Sequence, residues 1–424
     1  MTPLSPSPPL NQRWGIPPWT IDFRPHSNPL PSHVDFAIIG GGFTALSAAA
    51  WLRRIAPEKS VTVLEAKTLG AGASGRTGGM ALAESAAGDL PGLGDVLGGF
   101  SEILRDLEVE CELNLTGAWE LGRSGDKSGS PIHWNDHGIL RAVNDVPGGT
   151  INPGKLVSGL ARAAERAGAK ILENARVESV TVAEISSGDP VTLEVALGSD
   201  DDAGQARHLH RKQNSGREVQ IRAQRVLLAT NAQSLEISGL SREAHPKLTL
   251  AVATAPLSNQ QLADMGLPDG KPFYTVDFPY LWGRVMSSRG VIFGAGLVAV
   301  NDWRDLAAMD VADGEAAAMI ARIEQRVRGL HPALRKVGLT HRWGGPILFV
   351  EGMRPVFRWL TQGPHTAQDS LAAEGSGRAG GSRVTNQRRA LVLAAYAGHG
   401  VALSVYLGRW AAEALLDRRD LPPW

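Results

Sequence analysis

The feature that most constrains this chain is an apolar strand that leads directly into three glycines and then into a helix. Residues 34–39 form a short apolar run typical of a strand buried on both faces. Residues 44–55 are rich in Ala and Leu, and Pro57 follows as a stop signal for the predicted helix. Residues 61–64 predict a second strand. This order predicts a right-handed crossover and therefore the start of a parallel sheet.

The glycine cluster has the spacing of a dinucleotide-binding turn. Gly40, Gly42 and Ala45 occupy the three small positions of the pattern G-x-G-x-x-G/A. Gly40 would allow the tight turn, Gly42 would admit a pyrophosphate, and Ala45 would let the helix pack closely on the strand. Glu65 ends the second strand, 25 residues after Gly40, where an acid can bind a ribose 2′-hydroxyl. The alternative is a plain glycine-rich turn with a solvated glutamate, and the motif alone does not separate NAD from FAD.

Charge and cysteine content exclude several other classes of protein. The 424 residues contain 43 Lys and Arg against 43 Asp and Glu, so the positive charge of a dedicated nucleic-acid binder is missing. Cys111 is the only cysteine, which excludes an internal disulfide and a multi-thiolate metal site. Its neighbours Glu110 and Glu112 would raise the thiol pKa, which argues against a redox nucleophile. His208 and His210 lie in a charged segment without nearby carboxylates, so we expect a solvated loop and no metal site.

No segment predicts a secretion signal or a membrane span. The first thirty residues are rich in Pro and lack the apolar run of a signal peptide. Residues 36–52 and 390–407 are apolar, but glycine clusters interrupt both, so each is interpreted as a strand, a tight turn and a helix. We therefore expect a soluble, cytoplasmic protein without a transmembrane segment.

The rest of the chain indicates a second sheet and a long insertion. Three segments have the pattern of strands in an antiparallel sheet, namely residues 249–255, 273–276 and 291–295. Residues 307–327 predict a helix in the same region, and the polar residues 198–218 predict a surface excursion. Residues 361–387 are rich in Gly, Ser, Ala and Gln without periodicity, which predicts a flexible insertion.

One glycine-rich loop resembles that of a known family. Glu65-Ala66-Lys67 is followed by residues 70–80, Gly-Ala-Gly-Ala-Ser-Gly-Arg-Thr-Gly-Gly-Met. This segment closely resembles that of FAD-dependent oxidoreductases of the D-amino acid oxidase, sarcosine oxidase and glycine oxidase superfamily. The nearest group is the amine oxidoreductases similar to gamma-glutamylputrescine oxidase, which share the Pro- and aromatic-bearing N-terminal arm and the Ser-Gly-Arg-x-Gly-Gly loop. Its small residues would let the backbone reach the flavin and its pyrophosphate.

Further segments extend the resemblance from about residue 34 to residue 416. These segments are residues 149–153, 175–177, 226–232, 342–345, 354–355 and 396–403. The resemblance implies FAD as the cofactor. The residues that it would place against FAD are Gly40, Gly42, Phe43, Thr44, Ala45, Glu65, Ala66, Lys67, Gly72, Ser74, Arg76, Thr77, Gly78, Gly79, Met80, Val177, Thr230, Asn231, Gly398, His399, Gly400 and Val401. Some relatives attach FAD covalently through a Cys in the C-terminal half or a His after the ribose acid. This chain has neither, which implies noncovalent FAD.

The fold that the resemblance implies is α/β (α+β), with a Rossmann-type FAD-binding domain around a parallel sheet and a substrate domain with an antiparallel sheet. The expected limits are an N-terminal arm over residues 1–33, an FAD-binding domain over 34–85, 150–235 and 340–424, and a substrate domain over 86–149 and 236–339.

The reaction implied is oxidation of the C–N bond of a primary or secondary amine or amino acid to an imine. Hydride would pass to flavin N5, and oxygen or another acceptor would reoxidise the flavin. Arg284 would pair with a substrate carboxylate, although an exposed surface arginine is the alternative. Tyr280 and Trp282 would wall an amine pocket through cation–π contact, with core packing equally open. His399, between two glycines at a helix start, would contact cofactor or substrate.

One departure from the family pattern keeps a second hypothesis open. The acidic or polar residue that often precedes the closing proline is replaced by Gly352-Met353-Arg354. The alternative is therefore a flavin-binding subunit or assembly protein without efficient turnover. An NAD-binding reductase is a third possibility, and the FAD-like segments argue against it.

Overall fold

The structure is a computed structural model that describes residues 12–124, 129–182, 190–198, 217–360, 363–366 and 388–424. These residues form nineteen strands and seven α-helices. The strands are, in chain order, β1 (His33–Ile39), β2 (Val61–Leu64), β3 (Met80–Leu82), β4 (Ala118–Gly122), β5 (Trp134–Asn135), β6 (Ile139–Val146), β7 (Gly148–Thr150), β8 (Lys170–Leu172), β9 (Ala175–Val182), β10 (Val191–Leu197), β11 (Arg217–Leu228), β12 (Ala244–Thr254), β13 (Phe273–Thr275), β14 (Trp282–Val285), β15 (Val291–Ala299), β16 (Leu339–Val350), β17 (Val356–Trp359), β18 (Gly363–Thr366) and β19 (Ala390–Ala394). The helices are α1 (Phe43–Ile55), α2 (Val96–Asp106), α3 (Pro153–Arg166), α4 (Asn259–Asp264), α5 (Trp303–Ala308), α6 (Gly314–Leu330) and α7 (Gly400–Leu415).

The first sheet has nine strands and a parallel centre. β1 pairs in parallel with β2 on one side and with β11 on the other, and β8 and β19 continue the parallel pairing outward. β10 and β9 join β11 in antiparallel order, and β17 and β18 pair antiparallel with β19 and β9. The strand, helix and strand predicted over residues 34–64 are confirmed as β1, α1 and β2, and they lie at the centre of this sheet.

Small residues let α1 and α7 pack closely beside the first sheet. A Cβ atom on Gly408 would lie only 2.7 Å from the carbonyl oxygen of Thr44, so this position in α7 has room for glycine alone. The Ser47 hydroxyl donates to the carbonyl oxygen of Val405 at 2.7 Å. Because α1 begins at the glycine cluster and α7 begins at Gly400, this contact fixes the N-termini of the two helices relative to each other.

The second sheet has eight strands in the order β16-β12-β15-β14-β13-β4-β6-β5. Every neighbouring pair is antiparallel except β13 with β4. Helix α6 packs against β12 and β15 and buries Ile320, Ile323 and Val327. The antiparallel sheet predicted from residues 249–255, 273–276 and 291–295 is therefore confirmed.

Two details differ from the interpretation of the sequence. Residues 307–327 predicted one helix, but α5 ends at Ala308 and α6 begins at Gly314. Asp310 accepts a hydrogen bond from the amide of Ala312, and Asp313 caps α6, so two aspartates interrupt the helix. In addition, β16 pairs with β12 in the second sheet, whereas the expected limits place residues from 340 onward in the FAD-binding domain. The limits as domain boundaries stay a prediction.

Part of the expected insertion lies inside the described residues. Residues 363–366 of the segment 361–387 form β18, which pairs with β9, although no regular structure was predicted there. The remainder of that segment, residues 199–216 with His208 and His210, and the first eleven residues of the N-terminal arm lie outside the described residues.

The described part of the N-terminal arm contacts both halves of the molecule. The Trp14 indole donates to the carbonyl oxygen of Leu306, beside the second sheet, at 2.7 Å. The Trp19 indole donates to the carbonyl oxygen of Gly75, in the glycine-rich loop, also at 2.7 Å. Among the described residues, no helix combines the length and the apolar character that a membrane span requires.

Candidate active site

A cavity of about 970 Å³ lies where the two sheets face each other. On one side it is lined by residues at the carboxyl ends of β1, β2 and β11, which is where open α/β sheets bind their ligands. On the other side it is lined by residues of β14, β15 and β16, among them Trp282, Ala295 and Ile347. Its volume is within the range of small-molecule and cofactor sites. The fold therefore places the predicted nucleotide turn and the predicted substrate sheet on one cavity.

The glycine turn after β1 leaves no room for side chains. Gly40 has a φ of +108°, and a Cβ atom there would lie 2.7 Å from the carbonyl oxygen of Ala229 at the end of β11. A Cβ atom on Gly42 would lie 2.7 Å from the Ser74 hydroxyl. By contrast, nothing lies within 4 Å of a Cβ atom built on Gly72, which faces the cavity. The turn thus exposes backbone to the cavity, as binding of a pyrophosphate requires.

Glu65 holds the two loops at the nucleotide end of the cavity. Its Oε2 accepts a hydrogen bond from the amide of Gly41 at 2.7 Å, and its Oε1 accepts one from the amide of Lys67 at 2.8 Å. Burial raises the pKa of Glu65, and these two hydrogen bonds oppose that effect. A carboxylate offers about four acceptor sites, so Glu65 keeps capacity for ribose hydroxyls while it holds both loops.

The N-termini of α1 and α7 are the natural places for negative charge. In five of the seven described α-helices, the side chain of the N-cap residue accepts a hydrogen bond from an amide at the helix start. The N-cap residues of α1 and α7, Gly42 and His399, make no such bond. Both helices begin at the cavity wall. Helix N-termini carry unsatisfied amides and partial positive charge. At α1 the amide of Phe43 donates to the Ser74 hydroxyl at 2.9 Å. A bound phosphate or a reduced flavin ring would supply partners for the other first-turn amides.

The glycine-rich loop over residues 70–79 is fixed from outside the cavity. One Arg76 nitrogen donates to the carbonyl oxygens of Trp14, Gly15 and Gly344, at 3.1, 3.0 and 3.1 Å. Arg76 is 2% exposed, and burial lowers its pKa to about 10, so it remains charged at neutral pH. The N-terminal arm and β16 therefore hold a buried cation against the cavity.

Two buried hydroxyls and the charge balance also fit FAD. The Thr230 and Ser404 hydroxyl oxygens line the cavity and have no hydrogen-bond partner among the described residues. A buried polar group without a partner costs free energy, so a ligand that bonds to it is favoured. Glu65 is the only described carboxylate residue in the lining, against four arginines, namely Arg76, Arg176, Arg322 and Arg326. Of these arginines, Arg76 lies in the glycine-rich loop, whose Ser74 hydroxyl accepts a hydrogen bond from the amide of Phe43 beside the nucleotide turn. The positive charge of Arg76 suits a ligand that carries phosphates.

Arg284 lies elsewhere than expected for a carboxylate partner. It is 4% exposed and does not line the cavity. Its Nε donates to the carbonyl oxygen of Gly78, and its guanidinium lies 6.0 Å from the centre of the Trp19 ring. Burial lowers the pKa of Arg284 to about 10. In this position Arg284 clamps the glycine-rich loop to β14, because a buried guanidinium takes the nearest carbonyl oxygens as acceptors.

His399 and Tyr396 flank the start of α7. His399 lines the cavity, and burial lowers its pKa below the ordinary 6.5, so the imidazole is neutral at neutral pH. The Tyr396 hydroxyl lies 2.7 Å from the Thr44 hydroxyl, and burial raises the pKa of Tyr396. A neutral imidazole and a neutral phenol therefore stand beside the two helix N-termini.

Most of the predicted site residues lie on this one cavity, although their roles stay predictions. Those that line it are Gly40, Gly42, Phe43, Thr44, Glu65, Ala66, Gly72, Ser74, Arg76, Thr77, Gly78, Met80, Val177, Thr230, Asn231, Tyr280, Gly398, His399, Gly400 and Val401. Ala45, Lys67, Gly79 and Arg284 do not line it. Ala45, in the first turn of α1, is fully buried.

The sequence did not single out several lining residues of the second sheet and of α6. They include Tyr274, Phe278, Leu297, Met319, Arg322 and Arg326. For Phe278 alone the sequence offers a signal, the loop over residues 276–281, where apolar and aromatic residues surround a proline between two strands. Met353, in the segment that departs from the family pattern, also lines the cavity.

Sequence comparison identifies relatives over almost the whole chain. The family model for FAD-dependent oxidoreductases (DAO) matches residues 35–414. Gamma-glutamylputrescine oxidoreductase of Escherichia coli is 25% identical, over 90% of this chain and 83% of that protein. The probable oxidoreductase OrdL of Haemophilus influenzae is 24% identical, over 91% of this chain and 83% of that protein.

Solved structures share the fold. The crystal structure of L-proline dehydrogenase from P. horikoshii has a TM-score of 0.63 at 17% identity, covering 93% of this chain and 96% of that one. Glycine oxidase from Geobacillus kaustophilus also has a TM-score of 0.63 at 17% identity, covering 92% and 96%. The expected α/β architecture is confirmed. Because the family match spans residues 35–414, this chain belongs to the DAO family of FAD-dependent oxidoreductases, and FAD is its cofactor.

Proposed function

We propose that this protein oxidises the C–N bond of a primary or secondary amine or amino acid to an imine, which water then hydrolyses. The observation that carries the proposal is that the nucleotide turn and an aromatic-walled chamber under the second sheet form one cavity. FAD, when bound, supplies the hydride acceptor N5. Names of the relatives support the substrate class, because gamma-glutamylputrescine, glycine and L-proline all contain an oxidisable C–N bond.

Different residues of the cavity lining would bind the ribose, the pyrophosphate and the ring of FAD. Glu65 would accept ribose hydroxyls, and the N-terminus of α1 with the turn at Gly40 and Gly42 would bind the pyrophosphate. The N-terminus of α7, after His399, would stabilise negative charge on the ring. We propose noncovalent binding, which is supported by the position of Cys111, a buried cysteine that does not line the cavity.

The chamber under the second sheet would orient the substrate and exclude water. Trp282 lies directly against the loop that would carry the ring, since a Cβ atom on Gly78 would lie 2.2 Å from its indole. Tyr274 and Tyr280 add aromatic surface to the lining, on which an amine can rest through cation–π contact. The neutral imidazole of His399 can accept a hydrogen bond from the substrate nitrogen without adding a second positive charge.

The alternative, a flavin-binding subunit without efficient turnover, rests on the segment Gly352-Met353-Arg354. Met353 is 49% exposed and lines the cavity. A flexible apolar side chain therefore lies in the cavity lining, in a segment where relatives often have a polar residue. Such a protein would keep its FAD and leave it oxidised in the presence of every amine.

Anaerobic titration separates the two functions. The purified FAD-loaded protein is mixed with a panel of primary amines, secondary amines and amino acids. Each compound is paired with its oxygen analogue, an alcohol for a primary amine and an ether for a secondary amine. We expect the visible flavin absorption to bleach with at least one nitrogen compound and not with its oxygen analogue. Release of a carbonyl product and ammonia or an amine would confirm C–N oxidation, and peroxide formed on admission of air would identify oxygen as an acceptor. Bands that persist with every amine would contradict the proposal and favour the binding subunit.

A further inference from the structure

Exposed apolar side chains gather at the opening of the cavity. Among the described residues, nine large hydrophobic side chains are exposed, and five of them line the cavity. These five are Val276, Phe278, Tyr280, Leu297 and Met353, and we call them the apolar rim. Phe278 is 77% exposed, and its ring centre lies 4.3 Å from that of Tyr280. An exposed apolar cluster on a cavity is typical of a binding surface.

The part of the apolar rim that contains Phe278 and Tyr280 is held by a buried ion cluster. Arg326 donates to the carbonyl oxygens of Pro279 at 2.8 Å and Tyr280 at 2.6 Å. Both Arg326 and Arg123 pair with Asp136, whose side chain is 1% exposed. The backbone that presents Phe278 and Tyr280 is therefore fixed, and a fixed binding surface loses little entropy when it binds a ligand.

Arg322 lies one helical turn before Arg326 on α6 and also lines the cavity. Residues four apart share a helix face. Whereas Arg326 is fully engaged with Asp136 and the loop carbonyl oxygens, Arg322 is exposed and has no ion pair or hydrogen bond with any described residue. The charged residues that line the cavity with it are Arg76, Arg176, Arg326 and Glu65, and Glu65 already binds the amides at the nucleotide end.

We propose that Arg322 is a specificity-determining residue that binds a carboxylate at the far end of the substrate. This inference rests on the proposed amine oxidation. The amine would lie at the ring, the chain between would contact the apolar rim, and the carboxylate would meet Arg322 at the opening. The preferred substrates are therefore amines with a carboxylate several bonds from the reacting carbon. Diamines and polyamines are disfavoured, because the substrate end of the lining offers arginines and no described carboxylate.

The test compares straight-chain ω-amino carboxylates of increasing length with the n-alkylamines that lack the carboxylate. Anaerobic mixing with the FAD-loaded protein gives an apparent Kd and a limiting rate of flavin reduction for each compound. We expect the best ω-amino carboxylate to bind about tenfold more tightly than its alkylamine. Arg322→Gln should abolish that advantage, and Arg322→Lys should restore part of it. The matched control is Arg242→Gln, which alters an exposed arginine outside the cavity.

A calorimetric titration measures carboxylate binding by Arg322 without any oxidation of a substrate. Straight-chain carboxylates without an amine should bind the FAD-loaded protein and lose that binding in Arg322→Gln but not in Arg242→Gln. Equal carboxylate binding in the two variants, or an unchanged preference for ω-amino carboxylates in Arg322→Gln, would overturn the role of Arg322. Failure of every amine to reduce the flavin, with Arg322-dependent carboxylate binding intact, would overturn the proposed reaction alone.

Discussion

Glu65 is the side chain on which the nucleotide end of the cavity depends most directly, because its two oxygens accept hydrogen bonds from Gly41 and Lys67. Glu65→Gln replaces one acceptor by an NH₂ group that faces a backbone donor. A donor left unsatisfied costs about 1–3 kcal/mol. We therefore expect FAD affinity to fall about tenfold to a hundredfold, as measured by titration of the apoprotein with FAD.

The matched control for Glu65 is Glu58→Gln, which makes the same charge change at an exposed position without a hydrogen bond to the loops. This variant should bind FAD as the parent does. An equal loss of affinity in both variants would show that net charge, and not the loop contacts of Glu65, controls FAD binding.

His399 makes the stability of the folded protein depend on pH, and the burial of its side chain sets the direction of that dependence. Burial lowers the pKa of His399 below 6.5, so the unfolded chain takes up a proton at a higher pH than the folded chain does. Below about pH 6.5 the unfolded state binds more protons, and stability falls as the pH falls. We expect His399→Gln to lose less stability than the parent when the pH is lowered from about 7 to about 5, as measured by thermal unfolding.

His331 and His341 have pKa values lowered by burial in the same direction, so the variant removes only part of the pH dependence. The same substitution at the exposed His133 provides the control with which the slope of His399→Gln is compared. A parental slope in His399→Gln would contradict the burial of a neutral imidazole at the start of α7.

At the residue scale, the sequence predicts contacts that lie close together along the chain. Gly40, Gly42 and Glu65 belong to one strand–helix–strand unit, so their spacing is enough to place them. Arg284 contacts the carbonyl oxygen of Gly78, 206 residues earlier, and no local pattern indicates such a partner. For that reason the sequence does not predict the contact with Gly78, and the role of Arg284 toward a substrate carboxylate stays a prediction.

At the scale of elements, the contact between α1 and α7 is testable through two helical glycines. A Cβ atom on Gly408 would lie 2.7 Å from the Thr44 carbonyl oxygen, whereas nothing lies within 4 Å of a Cβ atom on Gly329 in α6. Gly408→Ala should destabilise the protein by about 1–3 kcal/mol through overpacking. Gly329→Ala should stabilise it by up to about 1 kcal/mol, because alanine favours helix.

Thermal unfolding and FAD titration measure both effects. Because α1 and α7 begin at the cavity, Gly408→Ala should also weaken FAD binding, while Gly329→Ala should leave it unchanged. Unchanged stability and FAD affinity in Gly408→Ala would mean that the two helices separate without cost, contrary to the packing described.

Element boundaries were predictable where local signals are strong. The helix start after Gly42 and the strand β2 follow from the glycine turn and from apolar patterning. The break between α5 and α6 was missed, although Asp310 and Asp313 are suitable turn and cap residues, because the apolar pattern continues across them. The sheet to which β16 belongs depends on its pairing with β12, about ninety residues away in the chain, which sequence patterning does not encode.

For the whole molecule, the site exists only where the two sheets meet. The first sheet and the helices beside it supply the nucleotide turn and the N-termini of α1 and α7, and the second sheet supplies the aromatic chamber. The family resemblance predicted this two-part plan and most of the nucleotide half. The other half of the cavity, including Arg322 and the apolar rim, comes from strands, loops and a helix that only the tertiary fold brings together.

The most direct test of this account is the visible absorption spectrum of the purified protein, followed by acid precipitation. The account predicts flavin bands, FAD released into the supernatant, and about one FAD per chain, since one continuous cavity holds the nucleotide turn and both helix N-termini. Flavin that stays with the precipitate would contradict noncovalent binding. A protein that shows no flavin bands even after FAD is supplied would contradict the central claim that this cavity is an FAD site.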